Sequence, residues 1–260
     1  MNLDLTGRHA LVCGASAGIG RATALELAKL GASVTGLARR QDRLDSLVHQ
    51  IRAAGGTAQA LAADLDDRDG LAAAVQAQMA TLGPVTVLIN NTGGPPAGPI
   101  LDASEDAFLA AFQRHLLSAH LLTRLVLPGM RAAGFGRIIN VISTSVREPI
   151  PNLGVSNTIR AAMAGWAKTV AMELPPGVTI NNVLPGYTDT ERLGALAEAA
   201  STRQGSSPEA VFAAWAAMAP EGRIGRPEEL AAVIAFLASP AASFVRGVSL
   251  AVDGGRTRSI

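Results

Sequence analysis

Short runs of β-branched and apolar residues alternate along the chain with longer segments in which apolar residues recur every three or four positions. The short runs predict strands, and the longer segments predict amphipathic helices. Seven strands are predicted, at Ala10–Cys13, Ser33–Ala38, Thr57–Ala62, Val85–Asn90, Arg137–Val141, Thr179–Leu184 and Val248–Val252. Helical segments are predicted near residues 19–30, 42–54, 68–82, 104–133, 155–174 and 227–238.

This order of elements predicts a parallel sheet that is covered by helices. Repeated strand–helix–strand units join parallel strands, and their right-handed crossovers place helices on both faces of the sheet. We therefore predict an α/β fold with a single doubly wound parallel sheet of about seven strands, a Rossmann fold. No change in composition marks a second domain, so residues 1–260 are predicted to form one domain.

The segment between the last two predicted strands, residues 188–223, differs from the rest. It carries two Ala-rich helical fragments that are separated by residues 201–208. Open α/β sheets bind ligands at the carboxyl ends of their strands, so we predict that this segment forms a lid over that edge. The alternative is a surface excursion without functional motion.

Composition and charge narrow the class of partner. Hydrophobic residues make up 48% of the chain and charged residues 17%, which is typical of a packed globular protein. A net charge of +1 without a long run of one sign predicts neither nucleic acid nor an anionic membrane as a partner. Residues 1–8 lack the apolar core of a signal peptide, and no run of about 18 apolar residues follows, so a cytoplasmic location is expected. A small-molecule substrate and further copies of the chain are the predicted partners.

Cysteine and histidine usage excludes two other kinds of site. Cys13 is the single cysteine, and the four histidines are scattered. A disulfide framework and a Cys/His zinc site are therefore both ruled out, and no metal is predicted.

The segment Cys13–Gly20 follows the first predicted strand directly and opens the first helix. A diphosphate needs free backbone N–H groups and the positive end of a helix dipole, together with glycines where a Cβ would keep it away. Gly14, Gly18 and Gly20 are the glycines of this segment that meet these requirements. The segment therefore predicts a dinucleotide site, with Ser16 and Ile19 as further contacts.

The residues after the second strand bear on which dinucleotide binds. An NAD enzyme usually has an acid there for the ribose 2′-hydroxyl, but this chain has Arg39 and Arg40. A guanidinium suits a 2′-phosphate, so NADP(H) is favoured over NAD(H). The alternative is that both arginines begin a solvated helix with Asp42 and Asp45. The remaining predicted cofactor contacts are Asp64, which is placed for the adenine amino group, and Leu65, Asn91 and Gly93.

Taken together, these segments resemble the short-chain dehydrogenase/reductase superfamily, in its 3-oxoacyl-carrier-protein-reductase-like branch, over essentially the whole chain. The family's Thr-Gly-x-x-x-Gly-x-Gly resembles Cys13–Gly20, and its Asn-Asn-Ala-Gly resembles Asn90–Gly93. Its Pro-Gly motif resembles Pro185-Gly186, and its C-terminal pattern resembles Val252–Gly255. The resemblance implies that Pro185, Gly186, Thr188 and Thr190 lie beside the nicotinamide or close the lid.

The resemblance departs from the family pattern at the catalytic positions. Family members use a Ser, a Tyr and a Lys in Tyr-x-x-x-Lys, supported by an Asn on the preceding long helix. Ser143 matches the family serine, but the tyrosine position holds Ser156 and the lysine position holds Arg160. The asparagine position holds His115.

These replacements change which group can supply a proton. A serine is a far weaker acid than a phenol, and an arginine does not exchange protons near neutral pH. Arg160 is expected to hold the nicotinamide ribose, with a surface salt bridge as the alternative, and Ser156 either holds water or substrate or is a passive helix residue. Ser143 is expected to donate to the substrate oxygen, with strand capping as the alternative.

Two other residues are candidate proton donors. His115 titrates near neutrality in water, but a histidine within an apolar helix is often a packed core residue. Tyr187 is the single tyrosine and follows Pro185-Gly186 directly, although an aromatic there can also be wall or lid packing.

The leading hypothesis is an NADP(H)-dependent oxidoreductase that acts on a carbonyl/alcohol pair with a non-standard proton donor. A cofactor-binding sensor or structural subunit without turnover is a second hypothesis, and the reduction of an imine-type carbon or an internal redox lyase is a third. Arg192 and Arg203 are candidates for binding an anionic substrate, although ordinary surface exposure explains them equally well. Apolar and small residues on more than one face of the helices near 104–133 and 155–174 predict burial against the sheet and against a second copy. The family resemblance implies that the assembly is a homodimer or homotetramer.

Overall fold

The strands form one parallel sheet. In the computed structural model, which describes residues 1–259, the strand order is β3-β2-β1-β4-β5-β6-β7. The strands are β1 His9–Cys13, β2 Ser33–Ala38, β3 Thr57–Ala62, β4 Val87–Asn91, β5 Gly136–Val141, β6 Val178–Pro185 and β7 Ser249–Val252. The predicted doubly wound α/β sheet is confirmed, and no strand boundary lies more than two residues from the prediction.

Nine α-helices accompany the sheet within the described range. They are α1 Gly18–Lys29, α2 Gln41–Ala53, α3 Arg68–Leu82, α4 Glu105–Phe112, α5 Ser118–Ala132, α6 Gly154–Glu173, α7 Glu191–Gln204, α8 Pro208–Ala217 and α9 Pro227–Ala238. The single helix predicted near 104–133 is interrupted by a π-helical turn at Gln113–Leu117, which joins α4 to α5. None of the helices within residues 1–259 combines the length and the apolar character that a membrane crossing requires.

Alternate residues of each strand pack against opposite layers of helices. In β4, Val87 and Ile89 join the cluster that packs against α1, α2 and α9, whereas Leu88 joins the cluster that packs against α3, α5 and α6. Side chains of a strand alternate between its two faces, so both faces of this strand are apolar and buried. The core therefore lies in two layers, one on each side of the sheet.

A row of buried side-chain amides crosses the second half of the sheet. Asn90 of β4 donates to Asn140 of β5 at 2.8 Å, and Asn140 donates to Asn182 of β6 at 2.9 Å. Asn182 in turn donates to Ser249 of β7 at 3.0 Å. These four residues are register partners in the sheet, so the asparagine row ties four strands together just before they reach the carboxyl edge.

The strand order reverses between β1 and β4, and this reversal positions the site. Connections from β1 lead to one side of the sheet and connections from β4 to the other, which opens a crevice at the carboxyl ends of the two strands. Helices α7 and α8 occupy the predicted lid segment between β6 and β7. Leu193 and Leu196 of α7 line the crevice, and motion of this segment stays a prediction.

Candidate active site

A cleft of about 560 Å³ opens at the carboxyl edge of the sheet. Its walls come from the loops after the seven strands, from the π-helical turn, from the start of α6 and from α7. Almost every predicted site residue lines it; Gly20 and His115 do not. The residues placed together there are Gly14, Ser16, Gly18, Ile19, Arg39, Arg40, Asp64, Leu65, Asn91, Gly93, Ser143, Ser156, Arg160, Pro185, Gly186, Tyr187 and Thr188.

The turn after β1 requires glycine for two different reasons. Gly14 has a φ of +64°, and a Cβ on it would lie 2.6 Å from the Asn91 Nδ2 atom. A Cβ on Gly20 would lie 2.2 Å from the backbone oxygen of Gly14. Gly20 therefore allows α1 to pack against the turn, and its contact with the cofactor stays a prediction.

The first turn of α1 offers free backbone donors to the cleft. Its N-cap residue, Ala17, has extended backbone angles, and no side chain accepts a hydrogen bond from the helix start. A Cβ on Gly18, which has a φ of +52°, would come within 3.0 Å of the Thr190 side chain. Unpaired N–H groups and the positive end of the helix dipole favour an anion at this point. The residues present fit the diphosphate of a dinucleotide.

Two arginines line the cleft where β2 ends. A guanidinium nitrogen of Arg39 lies 4.0 Å from the carboxylate of Asp64. Arg40 donates to the Ser16 hydroxyl at 3.1 Å and to Glu191 of α7 at 3.3 Å. Arg40 is turned toward the diphosphate turn and Arg39 toward Asp64, so two guanidinium groups that suit a 2′-phosphate line this end of the cleft.

Ser143 follows β5 and has its side chain in the cleft. Its Oγ accepts the backbone N–H of Ser145 at 3.0 Å, which caps the short 3₁₀ turn Thr144–Val146. A serine hydroxyl has one proton in addition to its acceptor sites, so this cap leaves the proton available to a substrate oxygen. The capping and substrate-binding interpretations of Ser143 are therefore compatible.

Arg160 lies behind Ser156 on α6 and is buried, with 7% of its surface exposed. It donates to the backbone oxygen of Val141 at 3.0 Å and to that of Thr92 at 3.3 Å. Burial, with a smaller contribution from the charge of Arg192, lowers the pKa of Arg160 to about 10. The guanidinium is still protonated at neutral pH, and the alternative of a surface salt bridge is wrong.

His115 lies in the π-helical turn and is buried. Its Nδ1 atom forms a hydrogen bond with the Thr92 hydroxyl, and its Nε2 atom has no partner among the described residues. Burial lowers the pKa of His115 to about 2, and Arg160, Arg114 and Arg192 add to this effect. The imidazole is neutral at physiological pH, so an imidazolium at His115 is not available as a proton donor.

Tyr187 forms part of the cleft wall. Its ring stacks on Trp215 of α8 with centroids 4.8 Å apart, and the Arg256 guanidinium lies 5.0 Å from the ring centroid. Burial raises the pKa of Tyr187, and the charge of Arg256 opposes that rise. The wall interpretation is therefore supported, while the phenol remains protonated at neutral pH.

Some residues that line the cleft were not predicted from the sequence. Thr92 lies in the loop after β4, between Asn91 and Gly93, and its position beside two predicted cofactor contacts was an available signal. Arg256 follows the C-terminal Val252–Gly255 segment, and no local pattern indicates that it reaches the cleft. Arg192 lines the cleft, whereas Arg203 on the same helix is exposed, so the structure separates two residues that the sequence left equivalent.

Comparisons with known proteins agree with this geometry. A family model described as enoyl-(acyl carrier protein) reductase matches residues 14–257. The 3-oxoacyl-[acyl-carrier-protein] reductase of Pseudomonas aeruginosa is 34% identical over 256 residues, which cover 97% of this chain and 98% of that protein. The cis-4-hydroxycyclohexanecarboxylate dehydrogenase of Sinomonas cyclohexanicum is 37% identical over 259 residues, covering 96% of each chain.

A solved structure extends the likeness to three dimensions. The crystal structure of L-sorbose reductase from Gluconobacter frateurii, complexed with NADPH and L-sorbose, matches with a TM-score of 0.94 and 29% identity, and all of both chains is covered. The family match spans nearly the whole chain, and the glycine turn, sheet order and cleft agree with it. The chain belongs to the short-chain dehydrogenase/reductase superfamily of NAD(P)-dependent hydride-transfer oxidoreductases, in its 3-oxoacyl-carrier-protein-reductase-like branch.

Proposed function

We propose that this protein is an NADP(H)-dependent oxidoreductase that interconverts a small ketone and its secondary alcohol. The observation that carries the proposal is one continuous cleft. It runs from the free amides at the start of α1, past the end of β5, to Ser143 and Ser156. A dinucleotide site and hydroxyl groups for a carbonyl oxygen therefore share one cavity.

The residues of the adenosine half support NADP(H) over NAD(H). Arg39 and Arg40 lie at the end of β2, and Arg40 also contacts Ser16 of the diphosphate turn. A guanidinium matches the charge and geometry of a 2′-phosphate. The L-sorbose reductase that shares this fold was crystallised with NADPH.

When bound, the nicotinamide would supply the hydride for ketone reduction or accept it for alcohol oxidation. The Ser16–Ile19 amides would hold the diphosphate, and Asp64 would accept a hydrogen bond from the adenine amino group. Arg160 keeps a fixed positive charge beneath the end of β5, because its two hydrogen bonds to backbone oxygens hold the guanidinium in place.

The Ser143 hydroxyl is expected to donate a hydrogen bond to the substrate oxygen. The Ser145 amide holds Ser143 in one orientation, so the donor is arranged before the substrate arrives. Ser156 adds a second hydroxyl to the cleft, but an alkyl hydroxyl does not release its proton near neutral pH. Both serines position the oxygen, and the transferred proton comes from another group.

We assign Tyr187 as the donor of the proton that the substrate oxygen receives during ketone reduction. It is the one cleft-lining side chain in the described residues that is a phenol, and a phenol is protonated at neutral pH. Burial raises the pKa of Tyr187 and makes it a weaker acid, but the charge of Arg256 opposes that rise. The nearby Arg256 guanidinium would stabilise the phenolate that remains after proton transfer. His115 lacks this capacity because its imidazole is neutral and lies behind Thr92.

Two of the similar proteins are named for small-molecule substrates. Their names include a dehydrogenase of cis-4-hydroxycyclohexanecarboxylate and a reductase of L-sorbose. These chemistries support a small-molecule carbonyl/alcohol pair for this chain.

Self-association belongs to the same proposal. Leu109 and Phe112 of α4 and Met172 of α6 expose apolar side chains, and these helices are the ones predicted to pair with another copy. We expect a homodimer or homotetramer, which light scattering of the purified protein tests.

Nucleotide titration tests the core of the proposal. The quench of Trp166 and Trp215 fluorescence gives the affinities for NADPH and NADH, and we expect NADPH to bind more tightly. Arg39→Asp should weaken NADPH binding by roughly 10- to 100-fold, because one charge-assisted contact is lost and repulsion replaces it. Arg203→Gln, which alters an exposed arginine far along α7, is the matched control and should bind NADPH as the wild type does.

Turnover then separates the remaining hypotheses. Consumption of NADPH with a panel of ketones supports the proposed activity. Tight NADPH binding without consumption of ketones or imines would favour the sensor hypothesis, and consumption with imines alone would favour imine reduction. A protein that binds neither nucleotide would refute the dinucleotide site itself.

A further inference from the structure

The cleft concentrates positive charge that the chain as a whole does not have. The sequence contains 22 basic and 21 acidic residues, excluding histidine. Eight charged side chains line the cleft, and six of them are arginines. The lining arginines are Arg39, Arg40, Arg114, Arg160, Arg192 and Arg256, and the acids are Asp64 and Glu191.

Three of these arginines already have carboxylate neighbours. Arg39 and Arg40 lie in the half of the cleft predicted for the adenosine, and Arg114 lies in the π-helical turn. Arg39 lies beside Asp64, and Arg40 is paired with Glu191. Arg114 is paired with an aspartate outside the cleft lining. The lining arginines that form no ion pair within residues 1–259 therefore lie in the other half of the cleft, on α6, on α7 and after β7.

These remaining arginines differ in how many hydrogen bonds and ring contacts they make within the protein. Arg160 is committed to two backbone oxygens. Arg256 lies over the Tyr187 ring and donates to the Thr144 hydroxyl at 3.2 Å. Arg192 forms one hydrogen bond, from Nη2 to the backbone oxygen of Pro95, so most of its donors stay available to the cleft.

The contacts of Arg192 place it in the half of the cleft that contains Ser143, Ser156 and Arg160. Its guanidinium packs against the loop after β4, where a Cβ on Gly94 would lie 3.3 Å from Nη2. Its charge contributes to the lowered pKa values of Arg160 and His115, which places it near the candidate chemistry. Burial lowers the pKa of Arg192 as well, so this cation is partly removed from water. An anion beside it would compensate the cost of that desolvation.

Five large apolar side chains line the same cleft as Arg192. Ile142 follows β5, Ile150 and Leu153 precede α6, and Leu193 and Leu196 belong to α7 itself. Their side chains offer no hydrogen bonds, so the molecule that fits between them has an apolar body. A guanidinium fork at one side of an apolar pocket matches a planar carboxylate on such a body.

We propose that the substrate of this protein is an apolar oxo acid or hydroxy acid, and that Arg192 binds its carboxylate. This inference rests on the proposed function, because it names the class of ketone or alcohol that enters the same cleft. Arg192 is then a specificity-determining residue: it selects substrates by charge, while the serines and Tyr187 act on the carbonyl oxygen.

Paired ligands that cannot react test the proposal by binding. Calorimetry compares carboxylates with the matching primary amides, using cyclohexyl, phenyl and n-pentyl bodies, on protein saturated with NADPH. We expect at least one carboxylate to bind roughly tenfold or more tightly than its amide. In Arg192→Gln that preference should fall to about threefold or less, and Arg192→Lys should retain part of it. Arg203→Gln should keep the wild-type preference.

Turnover offers a second measurement. The rate of NADPH consumption with 4-oxocyclohexanecarboxylate is compared with that of its methyl ester. We expect the acid to have the higher kcat/KM, and Arg192→Gln to remove the difference mainly through KM.

Three outcomes would overturn the proposal. Equal binding of acids and amides by the wild-type protein would show that the pocket does not select charge. Failure of every pair to bind, in protein that still binds NADPH, would reject the carboxylate while leaving the cofactor part of the proposed function intact. Loss of NADPH affinity in Arg192→Gln as large as the loss of carboxylate affinity would assign Arg192 to the cofactor. Absence of NADPH binding in the wild type would instead defeat the proposed function.

Discussion

Asn140 is the centre of the asparagine row, and its removal gives a quantitative test of the structure. Its side chain has no exposed surface, and it accepts from Asn90 while donating to Asn182. Asn140→Ala leaves one buried N–H donor and one buried carbonyl oxygen without partners. A stranded buried group costs about 1–3 kcal/mol, so the loss of unfolding free energy should be about 4 kcal/mol.

Thermal unfolding measures this loss. In chains of this size a change of 1 kcal/mol shifts Tm by roughly 2–4 °C, so Asn140→Ala should lower Tm by roughly 8–16 °C. Fluorescence of Trp166 and Trp215 follows the transition, at one protein concentration because self-association would raise Tm. A double-mutant cycle with Asn90→Ala should show coupling, since both changes break the same hydrogen bond.

Thr179→Val is the matched control. Thr179 is buried in β6, and its hydroxyl has no hydrogen-bond partner among residues 1–259. Replacing that hydroxyl with a methyl group breaks no hydrogen bond of the fold, so Tm should stay the same or rise. The reasoning is refuted if Asn140→Ala changes the unfolding free energy by less than about 1 kcal/mol, or if Thr179→Val is as destabilising as Asn140→Ala.

Three further predictions concern the site. Gly20→Ala should reduce NADPH affinity at least tenfold in fluorescence titrations, because its Cβ would lie 2.2 Å from the Gly14 oxygen; Gly194→Ala, which meets nothing within 4 Å, should leave the affinity unchanged. The pKa of His115 is about 2 in the folded protein, whereas an unfolded histidine has a pKa of about 6.5. As the pH falls below about 6.5, only the unfolded chain binds a proton at His115, so the folded protein loses stability as the pH is lowered. Between pH 7 and pH 5 this loss should be about 2 kcal/mol in urea unfolding, and His115→Asn should remove it; an equal loss in the variant would contradict the assigned pKa. Tyr187→Phe should lower kcat for ketone reduction by about 100-fold or more without changing NADPH affinity, and an unchanged kcat would assign the proton to water.

Local features of the sequence determined the architecture. Every strand predicted from apolar runs is present, because burial on both faces of a parallel strand needs a short continuous apolar segment. The glycine turn was also recognisable, because the left-handed angles at Gly14 and Gly18 and the close approach at Gly20 each demand glycine locally. The positions after β2 and β5 followed from the same local order of strand, turn and helix.

The tertiary structure alone decided the chemistry of several side chains, because their partners lie far away along the chain. The Thr92 hydroxyl meets His115 only after β4 and the π-helical turn pack together, and this contact buries an imidazole that would otherwise titrate near neutrality. Arg160 finds the backbone oxygen of Val141 rather than a surface carboxylate. Arg192 and Arg203 share one helix, yet the packing of α7 over the sheet turns only Arg192 into the cleft. Periodicity predicts which face of a helix is buried, but the charge and solvation of a site depend on which distant segments the fold brings to that face.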